Sequence, residues 1–139
     1  MNQTKTIKTL AILYIALLPI NLFLSSTLTP QLPPLLLEYL DEQSSSDLTF
    51  WDLAFLAVAL PAFIAQTIAL IGILIGKAWS RSTLLVSSAL MLLIIPITGP
   101  YVEHAIPTTL DSFGSIVLGG LLALLYFGDT PFNKTNKQE

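Results

Sequence analysis

Four long apolar segments constrain the fold of this chain more than any other feature. They cover residues 9–28, 53–76, 82–101 and 109–127, and the first three contain no Asp, Glu, Lys, Arg or His. Each has close to the length that a helix needs to cross about 30 Å of hydrocarbon. Only 11% of the residues are charged, against roughly 25% in an ordinary soluble domain. The class indicated is a membrane protein.

The apolar segments are expected to be helices. They lack the polar face at a period of 3.6 residues that helices of a soluble bundle show, and they lack the alternating pattern of a transmembrane barrel. Backbone groups in lipid must pair within the segment, which favours helices. The sequence therefore predicts an all-α membrane protein. Residues 1–139 would form one domain, a four-transmembrane-helix bundle whose longest connection is the outer loop 29–51.

The basic residues predict the orientation of this bundle. With four spans, all six fall before the first span, between the second and third, or after the fourth: Lys5, Lys8, Lys77, Arg81, Lys134 and Lys137. Most acids fall in the other two loops: Glu38, Asp41, Glu42, Asp47, Asp52, Glu103 and Asp111. Such segregation over short loops follows the positive-inside rule. It predicts a multi-pass protein of the cell inner membrane with both termini in the cytoplasm.

A cleaved signal peptide is the competing interpretation of the first segment. Lys5 and Lys8 precede an apolar run, and the small residues 25–27 follow it. However, the run is longer than the 7–15 residues typical of a signal peptide, and no A-x-A-like cleavage site follows. A retained span is therefore the expectation.

The outer loop offers a surface on which a partner could bind. Its prolines, such as Pro33 and Pro34, prevent the first helix from continuing. Residues 35–42 are apolar first and acidic later, which fits either a short interfacial helix or an irregular loop. The possible partner-contact residues are Glu38, Asp41, Glu42 and Asp47. Asp47 or Thr49 is expected to cap the next helix.

The predicted spans contain two amide side chains but no charged residue near their middle. Asn21 and Gln66 would lie near the middle of the membrane and are expected to contact each other between helices. Asp52 and Asp111 are expected at span entrances, where an acid complements a helix N-terminus. A bundle with no charge at mid-depth argues against a proton-coupled transporter.

Small residues and prolines occur within the spans. Gly72 with Gly76, and Ser115 with Gly119, would permit close helix approach within the bundle or between protomers. Pro19, Pro61 and Pro96 interrupt spans and could kink them around a cavity. Because proline is common in membrane helices, these kinks do not by themselves indicate transport.

The residue inventory predicts neither catalysis nor a cofactor. The chain has no cysteine and one histidine, His104, so a structural zinc or bis-histidine haem site is not expected. Only Glu103, His104 and Asp111 approach a catalytic constellation, and they lack a nucleophile–base–orienter set. The few dispersed basic residues do not support nucleic-acid binding. We expect no catalytic residues, metal or cofactor, and a protein that is not an enzyme.

Three short motifs resemble those of small four-span bacterial inner-membrane proteins of unknown function. They are Lys-Ala-Trp-Ser-Arg at 77–81, Gly-Pro-Tyr-Val at 99–102 and Tyr-Phe-Gly at 126–128. The resemblance covers about the last two-thirds of the chain and implies the four-span topology but no activity. The size is also similar to that of small multidrug-resistance transporters. Those carry an embedded acid in the first span, where this chain has Leu-Pro-Ile-Asn at 18–21.

Two functional hypotheses remain from the sequence. The first is an accessory, regulatory or immunity-type protein that acts through contacts with membrane proteins, using the acidic outer loop. The second is a small oligomeric transporter or channel that uses the proline kinks and the region of Asn21 and Gln66. In both, the bilayer surrounds the chain, with a membrane protein or a second copy as the possible partner.

Overall fold

The protein is all-helical over the part of the chain that the structure describes. This structure, a computed structural model, describes residues 3–45, 49–98 and 102–128. The helices are α1 (Gln3–Leu28), α2 (Pro34–Ser45), α3 (Phe50–Ile75), α4 (Trp79–Ile94) and α5 (Ala105–Phe127). Short 3-10 turns follow α1 at Thr29–Gln31 and α4 at Ile95–Thr98. The predicted all-α class is confirmed at this level.

Three helices are long and apolar enough to cross a membrane. These stretches are Gln3–Gln31, Asp52–Ile75 and Ala105–Phe127, whereas α4 is apolar but shorter, with 16 residues. Pro96 explains where α4 ends, because proline cannot donate to the carbonyl four residues earlier and disfavours α geometry in the residue before it. The chain continues from Ile94 as a 3-10 turn instead.

The four longer helices pack as two antiparallel pairs. α1 lies along α5 and α3 along α4, while α1 also contacts α3 and α4 contacts α5. The start of α1 meets the end of α5, since the Gln3 side-chain oxygen lies 3.2 Å from where a Cβ on Gly128 would lie. We call this end of the molecule the termini end and the opposite one, where α2 connects α1 to α3, the α2 end.

The fully buried apolar core lies near the termini end. Its eight residues come from all four packed helices: Ile7, Ala11, Ala69, Leu70, Ile73, Leu84, Leu121 and Leu125. In each helix they lie in the half nearest the termini end. α1 is therefore part of the core, and removal of α1 as a signal peptide would uncover the other three helices.

The ends of α3 are formed by two local sequence signals. Thr49 caps the first turn, accepting from the Asp52 backbone N–H, while the Asp52 carboxylate accepts from the Thr49 backbone N–H at 2.8 Å. The predicted cap at Thr49 is thereby confirmed, and Asp47 lies outside the described residues. At the other end Gly76 has a φ of +84°, a left-handed conformation that glycine adopts without a steric penalty.

The predicted glycine pair divides into two roles. Gly72 lies where α4 approaches α3, because a Cβ there would come within 2.7 Å of the Ser80 Cβ. Gly76 contacts nothing within 4 Å at that position and instead ends the helix. Gly119 likewise has nothing within 4 Å, so the expected close approach within this chain occurs at Gly72 and not at Gly76 or Gly119.

The described charges separate along the helix axes. Lys5 and Lys8 lie in the first turns of α1, and Lys77 and Arg81 lie at the turn between α3 and α4. The Arg81 guanidinium lies 4.8 Å from the centre of the Tyr126 ring, which ties α4 to the end of α5. Lys134 and Lys137 lie outside the described residues.

The acidic part of the outer loop is helical. α2 covers Pro34–Ser45, which favours the short helix over the irregular loop as the interpretation of this segment. It packs only loosely on the other helices, and Glu38, Asp41 and Glu42 are exposed. Leu35 is also 76% exposed, so the same helix presents apolar and acidic side chains outward.

We expect Gly72→Ala to destabilise the fold. The added methyl would overlap the Ser80 Cβ, which sits directly on the backbone of α4, so the two helices must separate. The expected loss is about 1–3 kcal/mol of unfolding free energy, measured by thermal or SDS-induced unfolding in micelles.

Gly119→Ala is the matched control, because its methyl meets no atom within 4 Å. It should leave stability unchanged or raise it slightly through helix propensity. Equal effects of the two substitutions would show that α3 and α4 do not approach closely at Gly72.

Candidate functional site

A cavity of about 520 Å³ lies between the four packed helices, on the side of the core that faces the α2 end. Many of its lining residues are polar: Tyr14, Asn21, Gln66, Ser88, Thr108, Asp111, Ser112 and Ser115. The apolar part of the wall includes Leu17, Leu18, Phe63, Met91, Leu92, Ile95, Leu110 and Leu118. Its volume is in the range of small-molecule sites, which is roughly 300–1,000 Å³.

The apolar core forms the floor of this cavity. One helical turn separates lining residues from core residues: Tyr14 from Ala11, Ser88 from Leu84, and Leu118 from Leu121. On α3, Gln66 is likewise followed by Ala69 and Leu70. Because each of these core residues has no exposed surface, the cavity is closed toward the termini end.

Two carboxylates lie where α1 meets α5. The Asn21 amide donates from Nδ2 to Asp111 Oδ1 at 2.6 Å. One turn further along α1, the Ser25 hydroxyl donates to Glu103 Oε1 at 3.0 Å, and Thr108 donates to Glu103 Oε2 at 3.4 Å. These contacts join α1 to the start of α5 through two carboxylates.

Gln66 belongs to a second polar contact, deeper in the cavity. Its Nε2 donates to the Tyr14 hydroxyl at 2.8 Å, joining α3 to α1. Gln66 is only 7% exposed, and a buried amide without a partner would be costly. The Tyr14 hydroxyl is therefore the hydrogen-bond acceptor for the buried amide of Gln66.

The expected contact between Asn21 and Gln66 is not formed. Each amide has another partner, Asp111 for Asn21 and Tyr14 for Gln66. The reason is depth: Tyr14 precedes Asn21 by two helical turns, so Gln66 lies about 10 Å below Asn21 along α1. Both amides line the same cavity, but at different levels.

Asp111 does not cap a helix, contrary to expectation. α5 begins at Ala105, and its N-cap is His104, whose Nδ1 accepts from the Ile106 backbone N–H at 3.3 Å. The earlier start puts Asp111 well inside the helix, with its side chain on the cavity wall. Pro107 sits in the first turn, where its missing N–H has no helical partner to lose. A carboxylate that was expected at the start of a helix thus lies on the wall of the cavity.

Two polar atoms on lining residues are buried without a hydrogen-bond partner. They are Asn21 Oδ1 and Ser88 Oγ. Leaving a buried polar atom unpaired costs on the order of 1–3 kcal/mol, and in proteins such atoms usually pair with water, an ion or a ligand. Both oxygens are buried in this conformation, so their side chains would have to rotate before they could accept from a molecule in the cavity.

Of the remaining predicted residues that the structure describes, only Ser115 is among those that line the cavity. Ser115 lines the wall, and its hydroxyl donates to the Asp111 backbone carbonyl at 2.9 Å. Within the described residues, no three His, Asp or Glu side chains are grouped as metal ligands would be. α1 and α3 continue through Pro19 and Pro61, and Pro61 lines a separate apolar groove between α3 and α4.

The spacing of polar residues in the sequence could have indicated part of this site. Tyr14 and Asn21 are seven residues apart, which places them on one face of α1. Asp111, Ser115 and Leu118 follow the i, i+4, i+7 spacing of one face of α5. No local pattern, however, indicates that these two faces meet across a cavity rather than a packed seam.

Comparisons with protein families, with curated proteins and with solved structures gave no match. The resemblance to small four-span bacterial membrane proteins therefore stays a prediction.

A double-mutant cycle can test the polar pairing. Tyr14→Phe and Gln66→Leu should show a coupling of about 0.6 kcal/mol, and at most about 1.7, as for hydrogen bonds between membrane helices. The measurement is unfolding free energy in micelles for both single variants and the double variant.

The control cycle joins Asn21→Leu with Gln66→Leu. Its coupling should be near zero, because residues separated by about 10 Å with different partners contribute additively. A coupling for this pair as large as that of Tyr14 with Gln66 would restore the direct contact between the two amides.

Proposed function

We propose that the chain is a four-transmembrane-helix bundle of the cell inner membrane, with the termini end in the cytoplasm. Three helices have the required length and apolarity. α4 and its four-residue 3-10 turn together extend about 32 Å, enough for the fourth span. All six basic residues would then lie on the cytoplasmic side, in accord with the positive-inside rule.

We further propose that this bundle takes a small polar solute into its cavity from the outer side and acts as a small transporter. The observation that carries this proposal is a cavity between membrane-type helices, with polar side chains on a largely apolar wall and an apolar floor beneath it. Polar groups in lipid are expensive, so a cavity lined with hydroxyls, amides and a carboxylate favours a function that uses them.

The closed floor favours a carrier over an open channel. A channel needs a continuous polar path, whereas the eight core residues block the cytoplasmic half in this conformation. Transport would then require the core to open while the outer mouth closes, so that the site is alternately accessible from each side. Oligomerisation through the outer surface of the bundle belongs to the same proposal.

Cysteine accessibility tests the transporter directly, because the chain has no native cysteine. Ser115→Cys, on the cavity wall, should react with a membrane-impermeant thiol reagent added from the outer side. If the protein is a carrier, the same thiol should also react, more slowly, from the cytoplasmic side of inverted vesicles.

Ala11→Cys is the matched control, since Ala11 is fully buried in the core. It should resist reagent added from the outer side. Labelling of Ser115→Cys from the outer side only would contradict a carrier, and its protection from both sides would contradict access to the cavity.

The second candidate is an accessory, regulatory or immunity-type protein that binds another membrane protein. The observation that favours it is α2, a loosely packed helix with exposed acids and the exposed Leu35. Neither candidate involves catalysis or a cofactor.

Charge removal on α2 tests this second candidate. If a partner binds there, substituting Glu38→Gln, Asp41→Asn and Glu42→Gln together should abolish its co-purification from mild detergent. Lys5→Gln with Lys8→Gln, at the opposite end, is the control and should retain the partner. Failure to recover any stable protein partner with the unmodified chain would count against this candidate.

A further inference from the structure

We infer that the cavity binds a small primary amine in its ammonium form, with the charge at Asp111 and an apolar body against the deeper wall. This inference deepens the proposed function by naming the class of solute. It rests on that proposal for its transport role, although binding can be measured without transport.

The negative charge on the cavity wall favours a positively charged ligand. Among the described residues lining the cavity, Asp111 is the charged one, and Lys, Arg and His are absent from that set. Glu103 lies beyond it near the mouth and adds a second negative charge. Asp111 is itself exposed at the open side of the cavity, and a carboxylate there with no basic partner on the wall attracts a cation and repels an anion.

The hydrogen bonding favours an ammonium group with N–H donors. Within the described residues Asp111 accepts from Asn21 at Oδ1, and its Oδ2 accepts no hydrogen bond. Asn21 Oδ1 and Ser88 Oγ are further acceptors without a partner. A primary ammonium carries three donors, whereas a quaternary ammonium carries none and would leave these atoms unpaired.

The rest of the wall fits an apolar body. Tyr14 and Phe63 contribute aromatic side chains, and Met91 and Leu118 add aliphatic surface. Aromatic faces stabilise an adjacent cation and also pack against an alkyl or aryl group. An inorganic ion would need several oxygen ligands around one point. The wall of this large space is mostly apolar, so it does not favour such an ion.

The same ammonium chemistry occurs in a free amine and in the headgroup of phosphatidylethanolamine. The test therefore uses benzylammonium as the probe and the purified full chain in nanodiscs of phosphatidylcholine, a lipid without primary amines. Isothermal titration should give saturable binding of benzylammonium. Benzyl alcohol, which has the same shape but no charge, should bind at least about tenfold more weakly.

Asp111→Asn keeps the size of the side chain and removes its charge, and should weaken benzylammonium binding at least about tenfold. Glu38→Gln removes an acid of the exposed α2 helix, outside the cavity, and should leave binding unchanged. Equal binding of benzylammonium and benzyl alcohol to the unmodified chain would overturn the inference, even if Asp111→Asn failed to fold.

Repeating the titration in nanodiscs that contain phosphatidylethanolamine identifies the source of the amine. Weaker benzylammonium binding there means that the lipid headgroup competes for the site, and unchanged binding means that the site selects a free amine. Ammonium binding together with one-sided labelling of Ser115→Cys would support this inference and contradict transport. Labelling of Ser115→Cys from both sides, without selectivity for the ammonium ion, would support transport and contradict this inference.

Discussion

The apolar core near the termini end holds the four helices in their relative positions, and the polar half of the molecule depends on it. Ile7, Leu70, Leu84 and Leu121 come from four different helices and have no exposed surface. Gly72 allows the backbones of α3 and α4 to approach closely at the same level. Helices held together at one end can separate toward the other without losing the fold, which leaves room for a cavity.

Polar contacts join the helices in the half of the molecule that contains the cavity. Asn21 with Asp111 and Ser25 with Glu103 join α1 to α5, and Tyr14 with Gln66 joins α1 to α3. Hydrogen bonds between membrane helices are individually weak, about 0.6 kcal/mol on average. Helices joined by such bonds can move apart at a low cost in free energy, whereas close-packed apolar side chains resist gradual deformation.

The two ends of the molecule therefore offer different chemistry. The termini end is basic at its surface and apolar inside, with Arg81 packed on Tyr126. The opposite end combines the cavity, with its carboxylate, and the exposed acids of α2. A negative, partly open half suits cationic solutes, and an acidic outer helix suits a basic partner, so both functional proposals depend on the same asymmetry.

Much of the architecture follows from the sequence, because apolar length, proline position and caps act locally. Segment length predicted α1, α3 and α5, Thr49 the start of α3, and the prolines the break before α2, whereas α4 is shorter than the span predicted for it. The site did not follow, since whether Asn21 meets Gln66 or Asp111 depends on the axial offset between helices, which no local pattern encodes. Only the tertiary structure decided that offset, and with it that Asp111 lines a cavity between the helices instead of capping a helix.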